Sequence, residues 1–152
     1  MSAKKILLLS SAIVVAVVCV GFLGLRTFTR KIVNNRDCEW ANIDHVEIRA
    51  MADIPPTLAS DCNYDAGKKR KTTVFALDTS KFDMDEYSSR HDFRKVSSAP
   101  ENFADFDKDG IASVDTSELF YRDGKTQTNS YKMLLDARSG RIWVDLRYFY
   151  ED

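Results

Sequence analysis

The chain has 152 residues, 44% of them hydrophobic and 30% charged, with a formal net charge of -1. That length leaves room for one domain of ordinary size, and the balance of charge excludes a protein that holds nucleic acid through a surplus of Lys and Arg. Two histidines and three cysteines, none at zinc-ligand spacing, exclude a zinc-built fold.

Residues 1–5 read as a short tail, kept in the cytoplasm by Lys4 and Lys5. Residues 6–25 carry no charge and no proline. At about 1.5 Å of rise per residue, a helix of that length spans about 30 Å, the hydrocarbon thickness of a bilayer. The stretch predicts a transmembrane anchor. It is longer than a signal-peptide core and no small-x-small cleavage site follows it. Val18 stands before Cys19 where a lipoprotein signal needs a small residue. Residues 26–37 form a basic stalk suited to lipid headgroups.

Charge is unevenly placed. Residues 1–37 hold six of the 22 basic residues and one of the 23 acidic ones, so residues 38–152 carry about six negative charges in excess. A body of that sign is steered toward a basic partner. Orientation draws on opposed signals. The count of basic residues favours a cytoplasmic C-terminal side. The two-lysine tail and the isolated pair Cys38 and Cys62 favour the outside, where disulfides persist. The reading adopted is a single-pass inner-membrane protein with residues 38–152 as a soluble periplasmic domain.

Within that domain, residues 42–51 (NIDHVEIRAM) alternate imperfectly and are expected as a first strand, ended by Pro55-Pro56. A Cys38–Cys62 bridge would staple the start of the domain to its body; two free thiols are the alternative. Asp65-Ala66-Gly67 signals a turn. The basic run from Lys68 to Lys71 is expected as a solvated loop or a guarded edge, and residues 72–77 (TTVFAL) as a strand. Residues 82–91 predict a short helix with Asp83, Asp85 and Glu86 at its positive end. Residues 93–96 make a brief strand, and 97–100 a loop. Three strand-like runs close the chain at 114–122, 126–136 and 141–150. Asp123-Gly124 is expected to join the first two, and Arg138-Ser139-Gly140 the next pair. In the last run Ile142, Val144 and Leu146 share one face, Trp143 and Asp145 the other. The fold class expected is α+β: a transmembrane helix, then a mostly antiparallel sheet with a C-terminal three-strand meander and a short helix on one face.

One local motif carries chemistry. Asp105-Phe106-Asp107-Lys108-Asp109-Gly110 resembles the opening of an EF-hand-type calcium loop, D-x-D-x-D-G. The resemblance then departs: Thr116 stands at the bidentate glutamate position, Glu118 is two residues late, and no helical pair surrounds the loop. What it implies is a calcium site of another surround, with Asp105, Asp107 and Asp109 as ligands and Ser113 or Asp115 completing them. A solvated acidic turn is the alternative. No catalytic residue is expected, because neither His45 nor His91 neighbours a nucleophile motif.

In plan, the chain is similar to the immunity proteins of the colicin M type: an N-terminal anchor, a short stalk and a compact α/β domain, the likeness carried by residues 6–25 and the pair Cys38 and Cys62. It implies an inhibitor that neutralises an envelope-acting toxin, with Asp83, Asp85 and Glu86 as partner-binding residues. The alternative from another class is an accessory or structural subunit of an envelope complex, in a calcium-stabilised form if the acidic loop binds the ion.

Overall fold

The computed structural model describes residues 13–29, 38 and 41–150. The chain divides into two units, residues 1–35 and 36–152. In the first, residues 13–29 form helix α1, with exposed side chains along its length. Among the described residues no helix is long and apolar enough to cross a membrane. Residues 6–12 of the expected anchor, the tail 1–5 and most of the stalk lie outside the described residues.

The second unit is a mixed helix and antiparallel-sheet domain. Its first element corrects the expected strand: Asn42–Ala50 is helix α2. Ile43, Val46 and Ala50 recur at intervals of three and four, and it is these that meet the core, while Ile48 is 72% exposed. Alternation would have put Val46 and Ile48 on one face; the helical period separates them. Met51 ends the helix in the left-handed region at φ 51°. The Arg122 guanidinium donates to the carbonyls of Ala50 at 2.9 Å and Met51 at 3.2 Å, satisfying the helix terminus.

Six strands follow: β1 Thr57–Asp65, β2 Arg70–Leu77, β3 Arg94–Lys95, β4 Leu119–Lys125, β5 Asn129–Asp136 and β6 Arg141–Tyr148. Their order is β1-β2-β6-β5-β4-β3 and every pairing is antiparallel. The expected meander is β4-β5-β6. Before it come three short helices, α3 Met84–Arg90, α4 Glu101–Ala104 and α5 Lys108–Ala112, and a 3-10 turn at Thr116–Glu118.

Both sheet faces are covered, not one. On the first, Phe75, Met133, Ile142, Val144 and Leu146 pack against Val46 and Ala50 of α2 and Tyr87 of α3. On the second, Trp143, Leu134 and Tyr121 pack against Phe103 of α4. Strict alternation along β6 makes this division, sending Ile142, Val144 and Leu146 one way and Trp143 the other. Cys38 and Cys62 are joined by a disulfide across a sequence separation of 24. Closing such a loop restricts the unfolded chain and stabilises the domain by about 3 kcal/mol in the chain-entropy description.

Two further expectations are corrected. Asp123-Gly124 is not a turn; both residues lie within β4, and the reversal falls at residues 126–128. The Thr126 hydroxyl accepts from the amides of Thr128 and Asn129 and so closes that turn. Gly124 serves close approach instead, since a Cβ there would lie 2.3 Å from the Tyr131 Oη. The basic run is not wholly solvated either. Lys71 is fully buried, and Arg70 is held in a buried ion pair described below.

Candidate partner-binding site

Helix α3 is built by local rules. Asp83 is its N-cap, and its carboxylate accepts the Glu86 amide at 2.8 Å. Asp85 and Glu86 sit in the first turn and Arg90 in the last, as the helix dipole favours. Glu86 and Arg90, one turn apart, form an exposed ion pair at 2.6 Å. On the inward side Tyr87 is buried, in edge contact with Phe82. Its hydroxyl donates to the Asp53 carbonyl at 2.8 Å, tying the helix to the loop that carries Pro55 and Pro56. Burial pushes the Tyr87 phenol up, so it stays protonated and remains a donor.

Between this loop and the helix lies a cleft of about 340 Å³. Its apolar lining is Pro55, Pro56, Phe82 and Tyr87; its charged lining is Asp53, Asp83, Glu86 and Arg90. Three carboxylates face one guanidinium, and that guanidinium is occupied by Glu86. Two further groups of cationic character bear on this neighbourhood: His91, with Nε2 3.9 Å from the Asp53 carboxylate, and Arg122, whose charge acts on Tyr87 and His91. Burial lowers the His91 pKa, so at neutral pH the imidazole brings little positive charge to Asp53. An apolar surface edged with three carboxylates and one guanidinium has a negative rim and suits a basic side chain with an apolar stem. Two of the three sequence-expected residues, Asp83 and Glu86, line this cleft; Asp85 is exposed on the same helix without lining it. The loop wall of Asp53, Pro55 and Pro56 was not foreseen. In sequence, Pro55-Pro56 signals only the end of a strand.

The second acidic stretch does different work. Asp107 is the N-cap of α5; its carboxylate accepts the Gly110 amide at 3.0 Å and the Trp143 indole N–H at 2.7 Å. Gly110 is required there, because a Cβ would collide with that same carboxylate. Asp105 follows α4 and faces Arg70 at 3.5 Å. Asp109 is exposed in α5, and the Ser113 hydroxyl donates back to the Gly110 carbonyl at 2.8 Å. Asp115 caps the 3-10 turn, accepting the Ser117 amide at 2.9 Å and pairing with Arg138. The Ser117 amide first, then Arg138, holds its carboxyl down at about 2. Of the five expected calcium ligands, Asp105 ends α4, Asp107 and Ser113 cap the two ends of α5, Asp109 lies exposed within α5, and Asp115 caps the 3-10 turn. Among the described residues no three acidic, histidine or cysteine side chains are grouped to hold a metal ion.

Arg70 anchors this region. Its guanidinium grips the buried Asp145 carboxylate through two bonds, 2.8 and 3.1 Å, and donates to the Asn102 carbonyl at 2.9 Å. Asn102 completes Asp145 with a further bond at 3.0 Å. The two histidines have structural surroundings: His45 in α2 lies 3.3 Å from the Tyr148 hydroxyl, and His91 packs on the Tyr87 ring at 4.8 Å.

No family model matches this chain, and neither a curated protein nor a solved structure matches it.

Proposed function

We propose that this chain is a membrane-anchored periplasmic binding protein, an immunity protein that neutralises an envelope-acting bacterial toxin by capturing a basic face of it. The observation that carries this reading is the cleft beside α3, where exposed Asp53, Asp83 and Glu86 surround Pro55, Phe82 and Tyr87. Charged rims of this kind accelerate encounter, and apolar centres slow release. The negative excess of residues 38–152 supports the same sign of partner. The Cys38–Cys62 bridge supports an oxidising compartment. An anchor over residues 6–25 would confine the inhibitor to the surface where such a toxin acts, raising its effective concentration there.

The test is survival. Sensitive bacteria expressing the full chain are challenged with envelope-acting toxins, colicin M among them. Protection against at least one is expected, with loss of protection when Asp83, Asp85 and Glu86 are all changed to Lys. Protection that survives this triple change excludes the α3 face. No protection against any of them, with the chain present at normal level, counts against the inhibitor reading.

A further inference from the structure

The second face of the sheet is covered unevenly. Helices α4 and α5 lie over Trp143 and Leu134 and reach β2 at Val74 and Arg70, while the edge strand β1 beyond them is mostly exposed. There the register places Ala59 beside Ala76, Asp61 beside Val74 and Asn63 beside Thr72, so these six side chains share one face. All are short. What they leave is a groove of about 610 Å³, walled on one side by β1 and on the other by Asp105, Phe106 and Asp107.

Charge within the groove is polar along its length. Asp61 stands opposite Val74, which pairs with Trp143, the residue that binds Asp107; two carboxylates thus flank the middle of the groove. Asp105 lies toward the Arg70 end. Arg141, in register with Ala76, closes the other end. Asp107 accepts only neutral N–H donors, and among the described residues neither Asp61 nor Arg141 has an ion-pair partner. The neutral floor runs from Thr72 to Ala76, about 13 Å at strand rise, the length of four or five residues of extended chain.

We infer that this groove docks an extended protein segment with basic side chains at alternate positions, its lysines or arginines held between Asp61 and the Asp105–Asp107 wall. Alternation matters because an extended chain turns every second side chain to the same side, and the carboxylates flank one line along the sheet. Arg141 fixes direction by repelling a cation at its end and accepting a carboxylate. The groove lies on the opposite sheet face from the α3 cleft, so this inference does not depend on the toxin-neutralising reading.

The probe is a capped, dye-labelled peptide of alternating lysine and alanine, followed by fluorescence anisotropy against the full chain in detergent micelles at low salt. Saturable binding is expected, at least tenfold weaker when glutamine or glutamate replaces lysine. Asp61→Lys should weaken it about tenfold, and Ala59→Trp should remove it by filling the groove. Both positions are exposed, and an unchanged melting temperature shows the fold is kept. Glu86→Lys, on the other face, should leave binding unaltered. Failure of the lysine peptide to saturate overturns the inference. So does binding indifferent to Asp61→Lys, or binding lost with Glu86→Lys, which assigns the peptide to the α3 cleft. Survival under toxin with no peptide binding would remove the groove alone.

Discussion

At the scale of single residues, backbone conformation and burial dictate identity. Gly140 turns β5 into β6 at φ 64°, and a Cβ there would also lie 2.6 Å from Thr79 Cγ2. Gly140→Ala should cost about 1–2 kcal/mol, read as a lower midpoint in urea; an unchanged midpoint would show that the turn adopts another conformation. The Arg70–Asp145 pair is more demanding, because the Asp145 side chain is only 1% exposed. Asp145→Ala strands the guanidinium and should destabilise by about 2–4 kcal/mol, whereas removing the exposed Glu86–Arg90 pair should change stability by less than about 0.5 kcal/mol. His91 supplies a pH signature. Burial first, against the Asp53 carboxylate and with Arg122 and Arg90 nearby, holds its folded pKa below the ordinary 6.5. The unfolded chain therefore binds a proton that the folded one resists. The contribution is complete above pH 6.5 and is lost as pH falls below it. Urea midpoints of the wild type should fall between pH 7 and 5.5, and His91→Phe should flatten that slope; equal slopes would assign the effect to other groups.

At the scale of elements, the helix α2 is where period decides. Val46 is fully buried and Ile48 is 72% exposed. Val46→Asp should destabilise by more than about 3 kcal/mol and Ile48→Asp by less than about 0.5 kcal/mol; comparable losses from the two would restore the strand reading of residues 42–51. The same segment shows what was legible in the chain. The last two strands and the Gly140 turn could be read because two apolar runs, Met133-Leu134-Leu135 and Ile142-Trp143-Val144, flank a turn glycine at positive φ. Helix α3 could be read because its first-turn acids are local, although it begins at Met84 with Asp83 as its cap, inside the expected span 82–91. Helix α2 could not, since its apolar residues support both periods, Val46 and Ile48 the strand and Ile43, Val46 and Ala50 the helix, and the arginine that completes its terminus, Arg122, is 72 residues away from Ala50. Asp123-Gly124 misled for another reason: its glycine answers to the Tyr131 ring across the strand pair, a demand for close approach that has the same signature in sequence as a turn. Of the candidate site, the acidic half lies in one helix and was visible. The apolar half comes from a loop some thirty residues earlier, brought in by the Tyr87–Asp53 bond.

At the scale of the whole molecule, one sheet presents two acid-edged concavities, on opposite faces, made by unrelated elements. The α3 cleft is the smaller, about 340 Å³, and is lined by Pro55, Pro56, Phe82 and Tyr87; the β1–β2 groove, about 610 Å³, has a neutral floor. Under the two proposals above, such a body would hold a basic partner by two separated contacts. Both readings of its chemistry suppose a domain oxidised at Cys38 and Cys62, and the toxin-neutralising role further requires residues 38–152 to lie beyond the cytosol. The most direct measurement is thiol trapping in living cells. Cells are quenched in acid, and the denatured chain is labelled with a mass-adding maleimide before and after reduction. With three cysteines in the chain and Cys19 free, the account predicts one labelled thiol before reduction and three after. Three labelled thiols before reduction would place the domain in a reducing compartment and contradict the periplasmic inhibitor.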